Sequence, residues 1–318
     1  EFRNCKILAS PTTSSSTHYA FYKMSGSVCD SIRLIGNLIS GGYYGLYFYG
    51  SGTGIGGYNT NIYIDSNIIE KAYYYSHYFY YTDLNSFSAN KIYPRSGNTY
   101  HYMYFYYTNH YHTVGNTWNM SKTNIEYGYN YFYYSQYYNY TADGLIANNE
   151  IIHSASAIGG YGMYLGYTNG MVKVYNNSMF VPGTSSYGIY AYCSSGTGTF
   201  EVMNNIIWAN YYPIYKTGTT VTFISDYNNL YSTGAYVGYY TSACPSLTAW
   251  ATQSGDVTSV KVAPLFLDST ESLELTSGTG LACPQLQGVM TDILGATRNF
   301  TTTMGCYEFD PKSYDVSP

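Results

Sequence analysis

The sequence predicts an all-β chain wound into a parallel β-helix, a β-solenoid of about nine coils. Three observations predict it: an asparagine that recurs every 23–33 residues, short runs in which apolar and polar residues alternate, and no helical pattern in the repeats. A repeat of this length built only from strands is typical of stacked coils, each pairing with the coils above and below it. The coils are expected to occupy residues 1–231.

The recurring asparagine is expected to form a ladder along the solenoid. In each copy it stands between two short strands, where the chain must bend, and an apolar residue follows two positions later. A side-chain amide both donates and accepts hydrogen bonds, so stacked asparagines can bond to one another and to the turn backbone. The predicted ladder consists of Asn37, Asn67, Asn90, Asn116, Asn149, Asn177, Asn205 and Asn229.

The 46 tyrosines are concentrated in a second strand of the same repeat, in runs such as 73–82 and 127–141. In each run one pair is expected to face inward, for example His77 with Phe79, so the alternate tyrosines face outward. Neighbours in an outward column are then about 4.8 Å apart, close to ring-stacking distance. The first predicted column is Tyr47, Tyr78, Tyr104, Tyr131, Tyr164 and Tyr190, and the second is Tyr49, Tyr80, Tyr106, Tyr133 and Tyr192, with Gly166 between the last two.

The composition excludes several classes of partner. Only 10% of the 318 residues are charged, the net charge is −5, and no basic run occurs, so nucleic acid is not an expected partner. No stretch of about 18 apolar residues is present, so no membrane-spanning helix is expected. No signal peptide is visible, and the chain is interpreted as a mature or excised segment.

The cysteines are Cys5, Cys29, Cys193, Cys244, Cys283 and Cys306. Their spacing does not match a zinc site, so no metal is predicted. Cys5 with Cys29, and Cys283 with Cys306, are close enough in sequence to form disulfides. An even cysteine count with low charge favours an extracellular protein, while buried free thiols are an equally good interpretation.

The coils resemble right-handed parallel β-helix proteins of the pectate-lyase-like superfamily. The segment after them resembles the closing segment of secreted bacterial β-helix proteins, many of them from the Bacteroidota. The matching positions are Trp250, Gly255, Asp256, Pro264, Phe266, Asp268, Asp292, Gly295, Arg298, Gly305, Tyr307 and Glu308. The resemblance implies right-handed winding and a location outside the cell or on its surface. Residues 232–309 are expected to form a C-terminal cap, and 310–318 a linker or tail.

Enzymes of this superfamily use clustered carboxylates, which only neighbouring members of the 18 acidic residues could provide. Four weak catalytic candidates emerge: Asp65 and Glu70 within one coil, and Glu126 and Asp143 beside a longer loop. Neither pair has an evident third partner, and solvent-exposed turn residues are the simpler interpretation.

Two other polar pairs are not expected to form a catalytic or metal site. Lys173 and Glu201 are expected to be neighbours on adjacent coils and to form a surface ion pair. His110 and His112 are expected on one strand face, without further metal ligands near them. No cofactor is predicted.

Three functional hypotheses follow. The first is a non-enzymatic extracellular or cell-surface protein whose tyrosine columns serve adhesion, fibre or surface assembly, or glycan binding, with a polysaccharide or copies of itself as partner. The second is a polysaccharide lyase or glycoside hydrolase of the same fold. The third is a passive stalk within a larger surface assembly.

Overall fold

The chain folds into a parallel β-solenoid, which confirms the predicted fold class. A computed structural model describes residues 1–54 and 56–309, so the predicted linker at 310–318 lies outside the described residues. About 49% of the chain is strand and 3% is helix, in about eight turns against the nine predicted coils. Right-handed winding stays a prediction of the resemblance.

The first half of the solenoid contains sixteen strands. In chain order they are β1 (Phe2–Arg3), β2 (Lys6–Leu8), β3 (Tyr19–Lys23), β4 (Arg33–Ile35), β5 (Leu38–Ser40), β6 (Tyr44–Tyr49), β7 (Asn59–Asp65), β8 (Ile68–Glu70), β9 (Tyr75–Ser88), β10 (Lys91–Tyr93), β11 (Tyr100–His110), β12 (Thr113–Val114), β13 (Thr117–Asn119), β14 (Tyr127–Tyr133), β15 (Gly144–Ala147) and β16 (Glu150–Ile152).

The rest of the described chain adds fifteen strands and one helix. They are β17 (Gly159–Gly166), β18 (Met171–Tyr175), β19 (Ser178–Val181), β20 (Ser185–Tyr192), β21 (Thr199–Met203), β22 (Ile206–Ala209), β23 (Tyr212–Thr217), β24 (Thr222–Asp226), β25 (Asn229–Tyr231), β26 (Gly238–Tyr239), β27 (Ala243–Cys244), α1 (Leu247–Ser254), β28 (Leu265–Asp268), β29 (Ser272–Ser277), β30 (Ala282–Pro284) and β31 (Thr301–Thr303). Strands β28 to β31 lie outside the solenoid sheets.

Each full turn contributes three strand segments, which we name by their place in the turn. Tyrosine strands, such as β6 and β14, carry the tyrosine runs, and entry strands, such as β4 and β15, lead into the asparagine turn. Both belong to one 18-stranded sheet. Exit strands leave the turn and form a separate nine-stranded sheet, the exit sheet, which runs from β2 to β25. In β9 a tyrosine strand continues directly into an entry strand.

The asparagine ladder is continuous from Asn37 to Asn205, as predicted. The last member is wrong by one residue, because the backbone and side-chain amides of Asn205 donate to Oδ1 of Asn228 and not to that of Asn229. The residue before each ladder asparagine has a positive φ, and at the last turn that residue is Tyr227, with φ 49°. Asn229 therefore already belongs to β25, where it bonds to the backbone of Val262 at 2.8 Å.

Large apolar side chains fill the interior in vertical columns. Phe48, Phe79, Phe105 and Phe132 are fully buried and stack with ring centroids 5.0–5.5 Å apart. The parallel register places each ring over its counterpart one coil below, as alternation in the tyrosine strands predicts. The stacked phenylalanines thus fix the register between the tyrosine strands of neighbouring coils.

Four histidines are also buried: His77, His101, His110 and His153. His77 and His110 contact the phenylalanine rings directly. Both ring nitrogens of His77 and of His153 lack a hydrogen-bond partner. Burial lowers the pKa of His101, His110 and His153 to about 3, so these rings are neutral at pH 7. His112, in contrast, is exposed. The expectation that His110 and His112 share one face is therefore wrong, because the strand ends at His110.

Residues 232–258 cover the C-terminal end of the solenoid. Helix α1 begins at the N-cap Ser246 and ends at Gly255, whose φ of 82° suits glycine. Its Trp250 is fully buried in the main core, and the indole Nε1 donates a 3.0 Å hydrogen bond to Asp256. The side chain thus closes the core where the stacked coils stop.

Residues 259–309, here called the return segment, pack along the outside of the exit sheet. Glu150 on β16 is buried and accepts hydrogen bonds from the Leu273 backbone at 2.5 Å and from the Tyr307 hydroxyl at 3.0 Å. Arg298 is also buried and bonds to Asn148, to the Gly305 carbonyl and to Glu308. Several positions of the closing motif therefore have structural roles here.

All six cysteines are free thiols, so the bridging interpretation is not the one that the structure adopts. Cys193, Cys244, Cys283 and Cys306 are buried. Burial raises the pKa of Cys193 and of Cys283 to about 12, which keeps both thiols protonated and unreactive at neutral pH.

Candidate functional site: the tyrosine face

The outward side chains of the tyrosine strands form one continuous surface, which we call the tyrosine face. The strand register places every predicted tyrosine in its predicted column. In the first, or central, column Tyr47 pairs with Tyr78, Tyr78 with Tyr104 and Tyr164 with Tyr190. The second, or trailing, column runs from Tyr49 to Tyr192 and is interrupted at Gly166.

A third column of eight tyrosines, the leading column, was missed from the sequence. Its members pair in register from one coil to the next along the whole solenoid. They are Tyr19, Tyr44, Tyr75, Tyr102, Tyr129, Tyr161, Tyr187 and Tyr212. The signal was present, since a tyrosine stands three residues before most central tyrosines, but strict alternation places outward residues two apart.

The reason for that spacing is a bulge residue between the leading and central columns. Gly45 in β6, Ser76 in β9, Gly162 in β17 and Gly188 in β20 each add one residue to the strand. A side chain on Gly45 would lie 2.5 Å from the Ser76 carbonyl oxygen, so only small residues fit there.

Strands β11 and β14 lack this bulge residue. Tyr102 directly precedes the inward Met103, and Tyr129 directly precedes the inward Asn130. The strand register shifts at these points, between β9 and β11 and again between β14 and β17. The two middle rungs of the tyrosine face are therefore one residue shorter than the rungs on either side.

The stacking of the central column breaks at these short rungs. Tyr47 and Tyr78 stack with a 5.0 Å centroid distance and a 5° interplanar angle, and Tyr164 and Tyr190 stack at 5.1 Å and 8°. Tyr104 and Tyr131, in contrast, meet edge to face at 65°. The tilted rings open a groove of about 500 Å³, which nine tyrosines line.

The groove and the columns around it carry no formal charge. The nine lining residues are all tyrosines. Burial raises the pKa of Tyr104 and of Tyr131, and burial raises that of Tyr190 to about 12. Each phenol therefore keeps its proton at neutral pH and can both donate and accept a hydrogen bond.

A fourth set of tyrosines borders the face at the turn into the entry strands. Tyr81, Tyr107, Tyr134 and Tyr167 have φ values of 48–56°, a region that costs non-glycine residues about 1–2 kcal/mol each. Their rings stack, most closely at 4.2 Å between Tyr107 and Tyr134. Stacking and tertiary contacts hold these tyrosines in the left-handed conformation.

The four candidate catalytic carboxylates do not come together. Asp65 accepts hydrogen bonds from Ser86 and Ser88, and Asp143 is paired with Lys173 at 2.7 Å. Glu70 is paired with Lys71 at 2.9 Å, and Glu126 lies before β14. Within residues 1–54 and 56–309, no described hydrogen bond or ion pair joins any two of the four. Lys173 is the register neighbour of Glu201 but pairs with Asp143 instead.

Asp83, which the sequence did not indicate, is a partly buried carboxylate at the edge of the tyrosine face. It follows the turn tyrosine Tyr81 on β9 and accepts a 2.6 Å hydrogen bond from Asn109. Burial raises its pKa to about 6. The hydroxyl of Tyr58, which is buried in the same region, has no hydrogen-bond partner. No second carboxylate contributes to the pKa of Asp83.

The described residues offer no metal centre, since no group of three or more His, Cys, Asp or Glu side chains is placed to hold an ion. The one helix in the described part of the chain has eight residues, and none there is long and apolar enough to cross a membrane.

No protein-family model, no curated protein and no solved structure matches the chain. The solenoid architecture is therefore observed, whereas the family that the closing motif resembles stays a prediction. The functional argument rests on the tyrosine face and on the carboxylates.

Proposed function

We propose that the protein is a non-enzymatic binding protein that holds a polymeric partner on its tyrosine face. The observation that carries the proposal is the set of three in-register columns, in which rings recur at about one strand spacing. A regular surface matches a regular partner, either a polysaccharide or a copy of itself. Tyrosine provides apolar area and a hydrogen-bonding tip at low entropic cost.

The scarcity of paired carboxylates supports a binding role over catalysis. Glycoside hydrolases of most families place two carboxylates on either side of the bond to be cleaved. The proposal includes a location outside the cell or on its surface, where an adhesive or glycan-binding face meets its partner. Adhesion, fibre assembly and glycan binding all use the same surface and are separated by experiment.

The test compares two triple variants of the full chain. Tyr78→Ser, Tyr104→Ser and Tyr131→Ser together remove three rings from the centre of the face. The control carries Ile68→Ser, Tyr93→Ser and Ile224→Ser, three exposed positions on other surfaces. Binding to insoluble polysaccharides is measured by pull-down, and self-association by sedimentation. We expect the first variant alone to lose binding; retention of both activities in that variant would overturn the proposal.

A second candidate, an acid–base enzyme, is favoured by one observation, the raised pKa of Asp83 beside the tyrosine face. A general acid or base works best when its pKa lies near the working pH. Turnover of neutral and acidic polysaccharides, with and without calcium, tests this candidate. Activity that is lost in Asp83→Asn would replace the binding proposal with an enzymatic one.

A further inference from the structure

The groove at the short rungs is a concave part of the tyrosine face, lined only by tyrosines. It lies where the central column turns from parallel stacking at Tyr78 to edge-to-face packing at Tyr131. Its volume of about 500 Å³ falls in the range of ligand pockets, roughly 300–1,000 Å³. A flat aromatic face from a second copy would rest on its rim and leave this space unfilled.

From this geometry we infer that the groove is the primary subsite for a single neutral polysaccharide chain, which stacks its sugar rings on Tyr104 and Tyr131. This inference rests on the proposed binding function and names its ligand class. The regular columns on either side would then provide weaker contacts along the same chain.

The absence of charge in the groove selects a neutral sugar. No lysine or arginine lines it, so a uronic acid would lose part of its hydration without gaining a counter-charge. The phenols of Tyr104 and Tyr131, whose pKa values burial raises, are protonated and can exchange hydrogen bonds with sugar hydroxyls. Among the inward neighbours of the short rungs, Met103 and Asn130 are both buried and contribute nothing to the surface.

The tyrosine rings of the groove provide a surface on which a sugar ring can stack. A sugar ring has an apolar face and a polar edge, as a phenol has. Tyr102 and Tyr104 stand two residues apart on β11, whereas Tyr75 and Tyr78 stand three apart on β9. The rings of Tyr104 and Tyr131 therefore meet at 65° instead of stacking, although their centroids are still 5.4 Å apart. A pyranose would lie in the groove against the face of a tilted ring, not between two rings.

The experiment measures binding of soluble six-unit oligosaccharides to the full chain by calorimetry. The neutral probes are built from glucose, mannose or xylose, and the acidic probes from galacturonic or glucuronic acid. The groove variant is Tyr104→Ala with Tyr131→Ala. The matched control is Tyr47→Ala with Tyr190→Ala, which removes two rings of the same column outside the groove. Circular dichroism and urea unfolding establish that each variant is folded.

We expect a neutral probe to bind, the groove variant to weaken binding at least ten-fold, and the control to weaken it less than three-fold. Should the groove variant fail to fold, Tyr104→Phe with Tyr131→Phe keeps the rings and removes the hydroxyls. That pair should weaken binding more than Tyr47→Phe with Tyr190→Phe.

Other outcomes separate this inference from the proposed function. If both alanine pairs weaken sugar binding equally, the proposed binding face stands, but the groove is not its primary subsite. Tighter binding of an acidic probe overturns the ligand class. Self-association without sugar binding makes a second copy the partner, which also overturns the inference. A monomer that binds no probe and no insoluble polysaccharide overturns both.

Discussion

The side-chain amide of Asn116 donates a 2.9 Å hydrogen bond to Oδ1 of Asn149, its counterpart one coil further along the solenoid. It also donates to the backbone carbonyl of Phe87 at 2.8 Å. Its own Oδ1 accepts from the backbone and the side chain of Asn90, each at 3.0 Å. One buried side chain thus satisfies polar groups on the coil before it and on the coil after it.

Replacing Asn116 with alanine should destabilise the fold by about 2–4 kcal/mol, because buried polar groups on Asn90 and Phe87 lose their partners. Urea unfolding followed by circular dichroism measures the change. The exposed Asn299→Ala provides the control and should change stability by less than about 0.5 kcal/mol. Equal losses in the two variants would mean that the ladder is not a source of stability.

The residue before the ladder asparagine provides a matched pair of substitutions. Ala89 is exposed with φ 55°, and Gly115 occupies the same place one coil later with φ 70°. Ala89→Gly should stabilise the fold by about 0.5–1 kcal/mol, and Gly115→Ala should destabilise it by about 1–2 kcal/mol. The space around Gly115 is open, so conformation alone decides the sign. Thermal unfolding of both variants measures it; shifts of the same sign would contradict the argument.

His77 stands between Leu46 and Met103 in an inward column, and neither of its ring nitrogens has a partner. His77→Met keeps the volume close to that of its neighbours and removes two unpaired polar atoms. We expect a gain of about 1–3 kcal/mol in the free energy of unfolding, measured in urea. Met103→Leu, an apolar exchange in the same column, is the control and should stay within about 1.5 kcal/mol. A loss of stability in His77→Met would show that the imidazole has a role in packing.

Acid should unfold the protein steeply. His101, His110 and His153 have folded-state pKa values of about 3, and an unfolded histidine titrates near pH 6.5. Below pH 6.5 the unfolded state therefore binds more protons, so stability falls as the pH drops from 6.5 toward 3. Each buried histidine contributes a slope of about 1.4 kcal/mol per pH unit.

Burial sets the sign of the acid effect, and neighbouring groups modify its size. His77 is faced by His101 and His110, which further disfavour its protonation after burial. Asp83, whose pKa is raised to about 6, acts in the opposite direction, since its folded form takes up a proton first as the pH falls. Urea unfolding at pH 7, 6 and 5 measures the net slope, and His77→Met should reduce it. A stability that is constant or rises over this range would contradict the prediction.

Arg298 should hold the return segment on the solenoid. Arg298→Met leaves the carboxylate of Glu308 and the amide of Asn148 without their buried partner, a loss of about 3–5 kcal/mol. Limited proteolysis should then cleave within 259–309 while the strand signal of the coils persists. The control is Lys122→Met, which breaks the exposed ion pair with Glu271 and should cost less than about 1 kcal/mol. Resistance to cleavage in Arg298→Met would argue against the anchoring role.

The coil architecture and the column register could be predicted because both follow from local periodicity. Alternation around Phe79 and Phe105 fixes which tyrosines face outward, and the recurring asparagine fixes the turn. The error at Asn229 arose because two asparagines stand together at 228–229. Only the backbone conformation of Tyr227 decides which of them enters the ladder.

The groove and the return segment could not be predicted by the same means. The groove depends on one missing residue before Met103 and before Asn130, which alters ring packing between coils rather than within a run. Glu150 bonds to Leu273, 123 residues further along the chain, and no local pattern encodes that pairing. Asp83 was missed because its raised pKa comes from burial, which sequence alone does not reveal.

The return segment also divides the solenoid into two zones of unequal resistance to opening. Each coil otherwise contacts only its neighbours, so a stack of this kind can fray one rung at a time. The described hydrogen bonds of the return segment reach exit strands from β25 back to β13, and none reaches β2, β5 or β8. The groove lies at the coils where the contacts of the return segment end. A ligand bound there would contact both the coils that the return segment covers and the coils that it does not. Binding would then slow local unfolding of the uncovered coils, so the partner itself would stabilise the solenoid along its axis.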